Sequence, residues 1–121
     1  MSILNALYLG VSGLLAEGEA LGVVGDNVAN ANTVGFKQSR AVFQDILGGA
    51  VGAGVRMSRA QQIFAQGTML NTGQPTDLAL SGDGFFVVAG KVDGVEGNFY
   101  TRAGQTTLSQ EGNLVNADGM Q

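Results

Sequence analysis

The first 28 residues carry apolar residues and glycines at heptad spacing, and this pattern constrains the fold more than any other feature of the chain. Spacings of three and four place these positions on one stripe of an α-helix. We therefore predict a long N-terminal amphipathic helix of the coiled-coil type, with Glu17, Glu19 and Asp26 on its opposite face. The stripe comprises Leu4, Leu7, Val11, Leu14, Gly18, Leu21, Gly25 and Val28.

Glycines weaken this predicted helix. Five of them lie within it, at positions 10, 13, 18, 22 and 25, and each costs roughly 0.5–1 kcal/mol relative to alanine in a helix interior. Since isolated helices of this length are marginal in water, we expect the segment to be largely disordered until something packs against it. The remaining sequence shows no second long amphipathic helix. The stripe therefore predicts a partner from other subunits or from residues outside this chain, although a core helix of an ordinary globular domain is the alternative.

The helix is expected to end near an asparagine cluster, Asn27, Asn30 and Asn32. Asparagine favours caps and turns, so these amides could simply terminate the helix. They could also bond neighbouring subunits, and both interpretations stay open. The stretch Gly48–Gly54 then indicates a flexible connection.

The pattern becomes β-like after residue 70. Short strands are predicted at residues 76–80, 85–88 and 99–102, with a loop over residues 91–98 and a hairpin that pairs residues 106–108 with 114–116. The fold class is therefore α+β: residues 1–32 form the helix, 33–70 an extended, partly ordered glycine-rich linker, and 71–121 the start of a β-hairpin-rich domain. Because the sequence stops within a β-meander, we expect it to be an N-terminal fragment.

Composition argues against catalysis and cofactor or metal binding. The chain has no Cys and no His, which removes cysteine nucleophiles, thiolate ligands, the commonest general base and the commonest metal ligand. The glycine-rich stretch fits no phosphate-binding motif. Residues 81–84 lack the spacing of a calcium loop, and Asp77 with Asp83 has no neighbouring base. We predict that the protein is not an enzyme and uses no cofactor or metal.

Charge and hydropathy narrow the partners further. The net charge is −4, yet residues 37–59 hold Lys37, Arg40, Arg56 and Arg59 against Asp45 alone. A chain of this charge without an aromatic-laced basic patch is a poor nucleic-acid binder. The uncharged N-terminal run of 16 residues is shorter than the roughly 20 needed to span a bilayer. No basic segment precedes it, so neither a membrane span nor a cleavable signal is predicted.

Three blocks in order resemble bacterial flagellar axial proteins, the rod and hook subunits. The first is Gly10-Val11-Ser12-Gly13-Leu14, and the second is the signature of Asn27, Ala29, Asn30, Thr33, Gly35, Phe36 and Lys37. The third runs from Gln66 to Val115 and contains the β-domain motif of Asp77, Leu78, Gly84, Phe85, Phe86, Tyr100, Thr101, Arg102 and Gly104. Asp26, Thr106 and Ser109 depart from the family pattern. The short link between Lys37 and Gln66 is more like hook than distal rod.

The resemblance implies a structural role in the flagellar hook or basal body. Leu4, Leu7, Val11, Leu14, Leu21 and Val28 would then form the self-assembly stripe that pairs with a C-terminal helix and lines the tube of a helical homopolymer. The tube would be a flexible joint that transmits torque from motor to filament. Implied partners are the adjoining rod, hook-cap and hook–filament junction proteins and the type III export apparatus, which exports such subunits without cleavage. A rod subunit is one alternative, and a non-flagellar β module with a coiled-coil tail is another.

Overall fold

A computed structural model describes residues 2–48 and 52–121 of the chain. Helix α1, Ile3–Ala29, comes first and is followed by strands β1, Ser39–Asp45; β2, Val55–Gln62; β3, Phe86–Val92; β4, Val95–Thr101; β5, Thr107–Leu108; and β6, Leu114–Val115. The strands form three two-stranded antiparallel sheets, β1–β2, β3–β4 and β5–β6. This arrangement confirms the predicted α+β class with one N-terminal helix and small hairpins.

Helix α1 begins and ends with side-chain caps. Ser2 is the N-cap, and its Oγ accepts a hydrogen bond from the backbone N–H of Asn5 at 3.2 Å. At the other end, the backbone N–H of Asn30 donates to the carbonyl of Asp26 at 3.0 Å. Its side-chain Nδ2 donates to the same carbonyl at 3.0 Å. By length and mean hydropathy alone the helix could cross a membrane, although the core helix of a soluble protein passes the same criterion.

The β1–β2 hairpin lies within the segment expected to be an extended linker, residues 33–70. Hydrogen bonds continue the ladder beyond both strands, from the N–H of Ile46 to the carbonyl of Gly54 at 2.8 Å and from the N–H of Ile63 to that of Gln38 at 2.8 Å. The register shifts between Val42 and Phe43, where Ser58 is the additional residue of a β-bulge. Part of the predicted glycine-rich connection, residues 49–51, lies outside the described residues.

The hairpin is the packing partner of α1 that the sequence did not reveal. The chain divides into two compact units, and the first joins α1 with β1 and β2 up to Phe64. A partner was predicted only for the apolar stripe and was expected outside this chain. The hairpin went unrecognised because its strands alternate weakly and contain a bulge.

The second unit contains residues 33–36 and Ala65–Gln121. Its β3–β4 hairpin turns at Asp93 and Gly94, whose φ angles of 48° and 87° are both positive. Such a two-residue turn matches the twist of antiparallel strands. The loop predicted over residues 91–98 is therefore wrong, since β3 and β4 run into the turn from both sides.

Two other strand predictions have different outcomes. Residues 76–80 do not form a strand, although the N–H of Leu78 donates to the carbonyl of Gly104 at 2.8 Å. The predicted second hairpin is confirmed as β5 and β6, with Leu108 paired to Leu114.

Near the end of the chain, Ala89 and Gln121 exchange backbone hydrogen bonds of 2.7 and 3.0 Å, and Met120 is buried.

Candidate assembly surfaces

The predicted self-assembly stripe is exposed along α1. The side chains of Leu4, Leu7, Val11, Leu14, Leu21 and Val28 are between 50% and 76% exposed. Burying a leucine or valine side chain contributes roughly 1.5–3 kcal/mol, so an uncovered row of this length is a favourable surface for another helix. The described part of the first unit therefore does not cover the surface that the heptad spacing predicts.

The side of α1 that packs on the hairpin is made of smaller residues. Ala16 is only 2% exposed, and the half-buried residues around it are Leu9, Ser12, Gly13, Ala20, Val23 and Asn27. At 3.6 residues per turn these positions lie on the opposite side of the helix from the self-assembly stripe, which we call the leucine stripe from here on. We call this second side the docking face.

Ser12 joins the middle of the docking face to the hairpin. Its Oγ donates to the carbonyl of Leu9 at 2.8 Å and accepts from the N–H of Val55 at 3.2 Å. At Gly54 the backbone approaches so closely that a Cβ atom there would collide with Ser12 Oγ. A glycine at the entry to β2 thus permits the contact between helix and hairpin.

Asn27 joins the end of the docking face to the first residue of β1. Its Nδ2 donates to the carbonyl of Ser39 at 2.6 Å, and its Oδ1 accepts from the N–H of Ser39 at 2.9 Å. The amide therefore pairs with a backbone in the way that another strand would. Asn30 caps the helix, which is the structural interpretation that the sequence left open. The contact of Asn27 with Ser39 belongs to neither interpretation.

Other signature residues belong to the turn that follows the helix. Within the second unit, Phe36 is half-buried and its N–H donates to the carbonyl of Thr33 at 3.3 Å. Gly35 has a φ of +76°, and a Cβ atom there would lie 2.5 Å from the backbone nitrogen of Ala103. Glycine is thus required twice at this position, by conformation and by space. Ala29 is exposed at the end of α1, and Lys37 is half-buried.

The β-domain motif contains a compact cluster around Gly104. This glycine is buried, and an added Cβ atom would collide with the carbonyl of Leu78 and lie 3.1 Å from Cε2 of Phe86. Thr106 Oγ1 also donates to the carbonyl of Thr76. Together these contacts hold residues 76–78 along the segment that follows β4.

Arg102 organises the neighbouring turn at residues 80–82. Its Nη2 donates to the carbonyl of Gly82 at 2.6 Å, and its guanidinium carbon lies 5.6 Å from the centroid of the Phe85 ring. Gln66 binds the same turn from another side, because its Nε2 donates to Leu80 O at 3.1 Å and its Oε1 accepts from Gly82 N–H at 3.3 Å. These bonds give Arg102 and Gln66 a structural role.

The remaining motif residues lie outside that cluster. Thr72 Oγ1 donates to an Asp77 carboxylate oxygen at 2.5 Å, and Tyr100 is 70% exposed. Thr101 pairs with Phe86 in the β3–β4 ladder. Nothing lies within 4 Å of a Cβ atom added to Gly84. Throughout residues 2–48 and 52–121, no three His, Cys, Asp or Glu side chains are grouped closely enough to hold a metal ion.

Sequence reasoning missed the docking face. The small residues Ser12, Ala16 and Ala20 gave a weaker periodic signal than the leucines, although they repeat every four positions along the helix. Asn27 was identified, but its Ser39 partner was not, since that contact spans twelve residues. A search for a stripe of small residues opposite the leucines would have indicated a closely packed neighbour.

Comparison with known proteins matches both parts of the chain to flagellar components. Residues 7–37 match the family described as flagella basal body rod protein. Residues 79–121 match the D1 domain of the flagellar hook protein FlgE/F/G family. The two matches cover the leucine stripe from Leu7 onward with the helix-end signature, and most of the β-rich unit.

Individual relatives agree with these family matches. The chain is 46% identical over 112 residues to the flagellar hook protein FlgE of Salmonella typhimurium, an alignment that covers 92% of this chain and 27% of that protein. It is 39% identical to FlgE of Helicobacter mustelae, over 97% of this chain and 30% of that protein. The flagellar basal-body rod protein FlgG of Bacillus subtilis is 38% identical, over 97% of this chain and 50% of that protein. The chain thus spans a quarter to a half of these relatives, and it belongs to the family of bacterial flagellar hook and rod proteins.

Proposed function

We propose that this chain is part of a structural subunit of the bacterial flagellar hook, which polymerises into a helical tube and has no catalytic activity. The observation that carries the proposal is the exposed leucine stripe of α1 in a chain similar to hook proteins over most of its length. The tube would act as a flexible joint that transmits torque from motor to filament. The subunit would be located in the hook and basal body.

The leucine stripe would pack in the manner of a coiled coil on other copies and on a C-terminal helix outside these 121 residues. A contact between different surfaces of successive copies does not close on itself, so it propagates a helical polymer. The adjoining rod, hook-cap and hook–filament junction proteins would contact the ends of this polymer. Export by the type III apparatus, without cleavage of a signal, would deliver the subunit.

The tube-lining position of α1 explains its composition. Glycines on the leucine stripe, such as Gly18 and Gly25, leave open space around the helix. A neighbouring helix could therefore approach the backbone closely at these positions. The leucines on either side would supply the apolar area that stabilises the contact.

A rod subunit is the second candidate, and a specific observation favours it. Residues 7–37 match the family described as flagella basal body rod protein, and FlgG of Bacillus subtilis is 38% identical over 97% of this chain. Immunogold labelling of isolated hook–basal bodies separates the two functions. Labelling along the curved hook supports the hook subunit, and labelling only within the basal body supports the rod.

The Leu14→Asp substitution in the native subunit tests the proposal. A carboxylate on the leucine stripe would have to be desolvated against the neighbouring helix, so we expect no sedimentable polymer under conditions in which the wild-type subunit assembles. The matched control is Leu47→Asp, because Leu47 is 92% exposed and lies outside the helix. Normal polymerisation of the Leu14→Asp subunit would contradict the assignment of the stripe.

A further inference from the structure

The solvent-exposed residues of the β1–β2 hairpin include an unusual concentration of positive charge. Residues 37–59 have four basic residues and one acidic residue, in a chain whose net charge is −4. Three of the basic residues, Arg40, Arg56 and Arg59, lie in the strands themselves and are exposed. The net charge of the remaining residues is therefore more negative than −4.

The strand register places these three arginines on one face of the hairpin. Residues that stand directly opposite each other in an antiparallel pair point to the same side. Arg40 stands opposite Gln61, Val42 opposite Arg59, and Gln44 opposite Arg56. Residues 40, 42 and 44 are two positions apart along β1, so their side chains point to the same side. Together with their partners Gln61, Arg59 and Arg56 they form one surface, which we call the arginine face.

Neutral side chains hold two of the arginines in place. Arg40 Nε and Nη2 donate to Gln61 Oε1 at 3.0 and 2.9 Å. Arg56 Nη2 donates to Gln44 Oε1 at 3.3 Å. A glutamine orients a guanidinium without neutralising its charge, so the arginine face stays positive and partly preorganised. The opposite face of the hairpin is more apolar and carries Ala41, Phe43 and Met57.

From this arrangement we infer that the arginine face binds exposed carboxylates of the β-rich unit in a second copy of this chain. The inference rests on the proposed function, since a polymer brings copies into contact. Charge complementarity favours this occupant, because residues 65–121 hold six acidic and two basic side chains. Of the acidic ones, Asp83, Asp93, Glu96 and Glu111 lie in exposed positions. The leucine stripe supplies apolar contact area, while the arginine face sets which surface of the neighbour it meets and makes assembly dependent on salt.

Salt-dependent polymerisation of arginine variants tests this inference. The native subunit is compared with the triple variant Arg40→Gln, Arg56→Gln and Arg59→Gln, and with the charge-preserving triple variant to lysine. At about 0.05 M NaCl we expect the critical concentration for assembly to rise about tenfold for the glutamine variant, and little for the lysine variant. At about 0.5 M NaCl the three proteins should assemble alike, because exposed charges are screened.

A second variant tests the other side of the contact. Asp83→Asn, Asp93→Asn, Glu96→Gln and Glu111→Gln together should abolish the salt dependence, and combining them with the arginine variant should add nothing further. Additive losses would contradict a direct contact between the two surfaces. Amide hydrogen exchange on each dilute monomer checks that the hairpin is still folded.

Each remaining result is decisive. An unchanged critical concentration for the glutamine variant would overturn the inference. It would leave the proposed function intact, because that proposal is tested by the Leu14→Asp substitution. Arginine-dependent binding to vesicles of anionic phospholipid, with unchanged polymerisation, would assign the face to a lipid surface and also overturn the contact between copies. A wild-type subunit that fails to polymerise at any salt concentration would contradict both proposals.

Discussion

The two sides of helix α1 are built on different principles. The leucine stripe has large apolar side chains that are at least half exposed, whereas the docking face has Ala16 buried to 2% exposure with Ser12 and Ala20 beside it. Small residues let the hairpin backbone approach closely, and two polar side chains, Ser12 and Asn27, fix its register. The large apolar side chains, which would stabilise the core of an ordinary domain, are thus left exposed on the leucine stripe.

Under the proposed function, this difference would separate folding from assembly within one helix. Contacts on the docking face connect residues of the same chain, so they act in the monomer. Under the proposed function, contacts of the leucine stripe would require a further helix, from another copy or from a C-terminal segment outside these 121 residues. A helix weakened by glycines can therefore be ordered by its hairpin and still keep its strongest apolar surface for a partner.

The largest expected effect comes from a charge on the docking face. Ala16→Asp would bury a carboxylate without a partner, which costs about 3–5 kcal/mol, and we expect α1 to separate from the hairpin. Chemical denaturation followed by circular dichroism measures the loss. The control is Leu14→Asp, two residues away on the same helix, which should change the unfolding free energy by less than about 1 kcal/mol. Equal losses for the two variants would remove the distinction between the sides.

A smaller effect is expected at the end of the docking face. Asn27→Ala removes both side-chain bonds to Ser39 and leaves a half-buried N–H and carbonyl without those partners, at a cost of about 1–3 kcal/mol. The amide exchange rate should increase more at Ser39 and along β1 than at the start of α1. Asn32→Ala is the matched control, because Asn32 is exposed beyond the helix. If both substitutions had the same small effect, Asn27 would not hold the hairpin in register.

The smallest effect has opposite signs in the monomer and the polymer. Gly18→Ala and Gly25→Ala lie on the leucine stripe, and a Cβ atom at either position meets nothing within 4 Å. Each should stabilise the monomer by roughly 0.5–1 kcal/mol through helix propensity. In the polymer the added methyl groups should hinder close approach of the neighbouring helix and raise the critical concentration. Improved assembly of these variants would show that the stripe glycines have no packing role.

The sequence predicted the elements that depend on local signals. The heptad spacing indicated the helix, and the asparagine cluster indicated its end near residue 30. Turn residues predicted the β5–β6 hairpin, and the aromatic residues predicted parts of β3 and β4. These elements are encoded by neighbours within a few positions, so pattern and turn chemistry suffice for them.

The remaining features depend on contacts between distant residues. The segment over residues 33–70, expected to be a linker, contains a hairpin. The prediction missed it because the bulge at Ser58 interrupts the alternation by which strands are recognised. The motif at residues 76–80 looked like a strand, yet it makes a single backbone bond to Gly104. The docking face was hidden because small residues contribute little to apolar periodicity. The structure reveals it through the burial of Ala16 and the close approach of Gly54 to Ser12.

Thiol labelling tests the central claim, that one side of α1 serves folding and the other serves assembly. The chain has no native cysteine, so Leu14→Cys and Ala16→Cys each introduce one unique thiol. In the dilute monomer, cysteine at position 14 should react with a maleimide at the rate of an unstructured peptide, and cysteine at position 16 far more slowly. In the polymer both should be protected. Fast labelling at position 16 in the monomer, or fast labelling at position 14 in the polymer, would contradict the account.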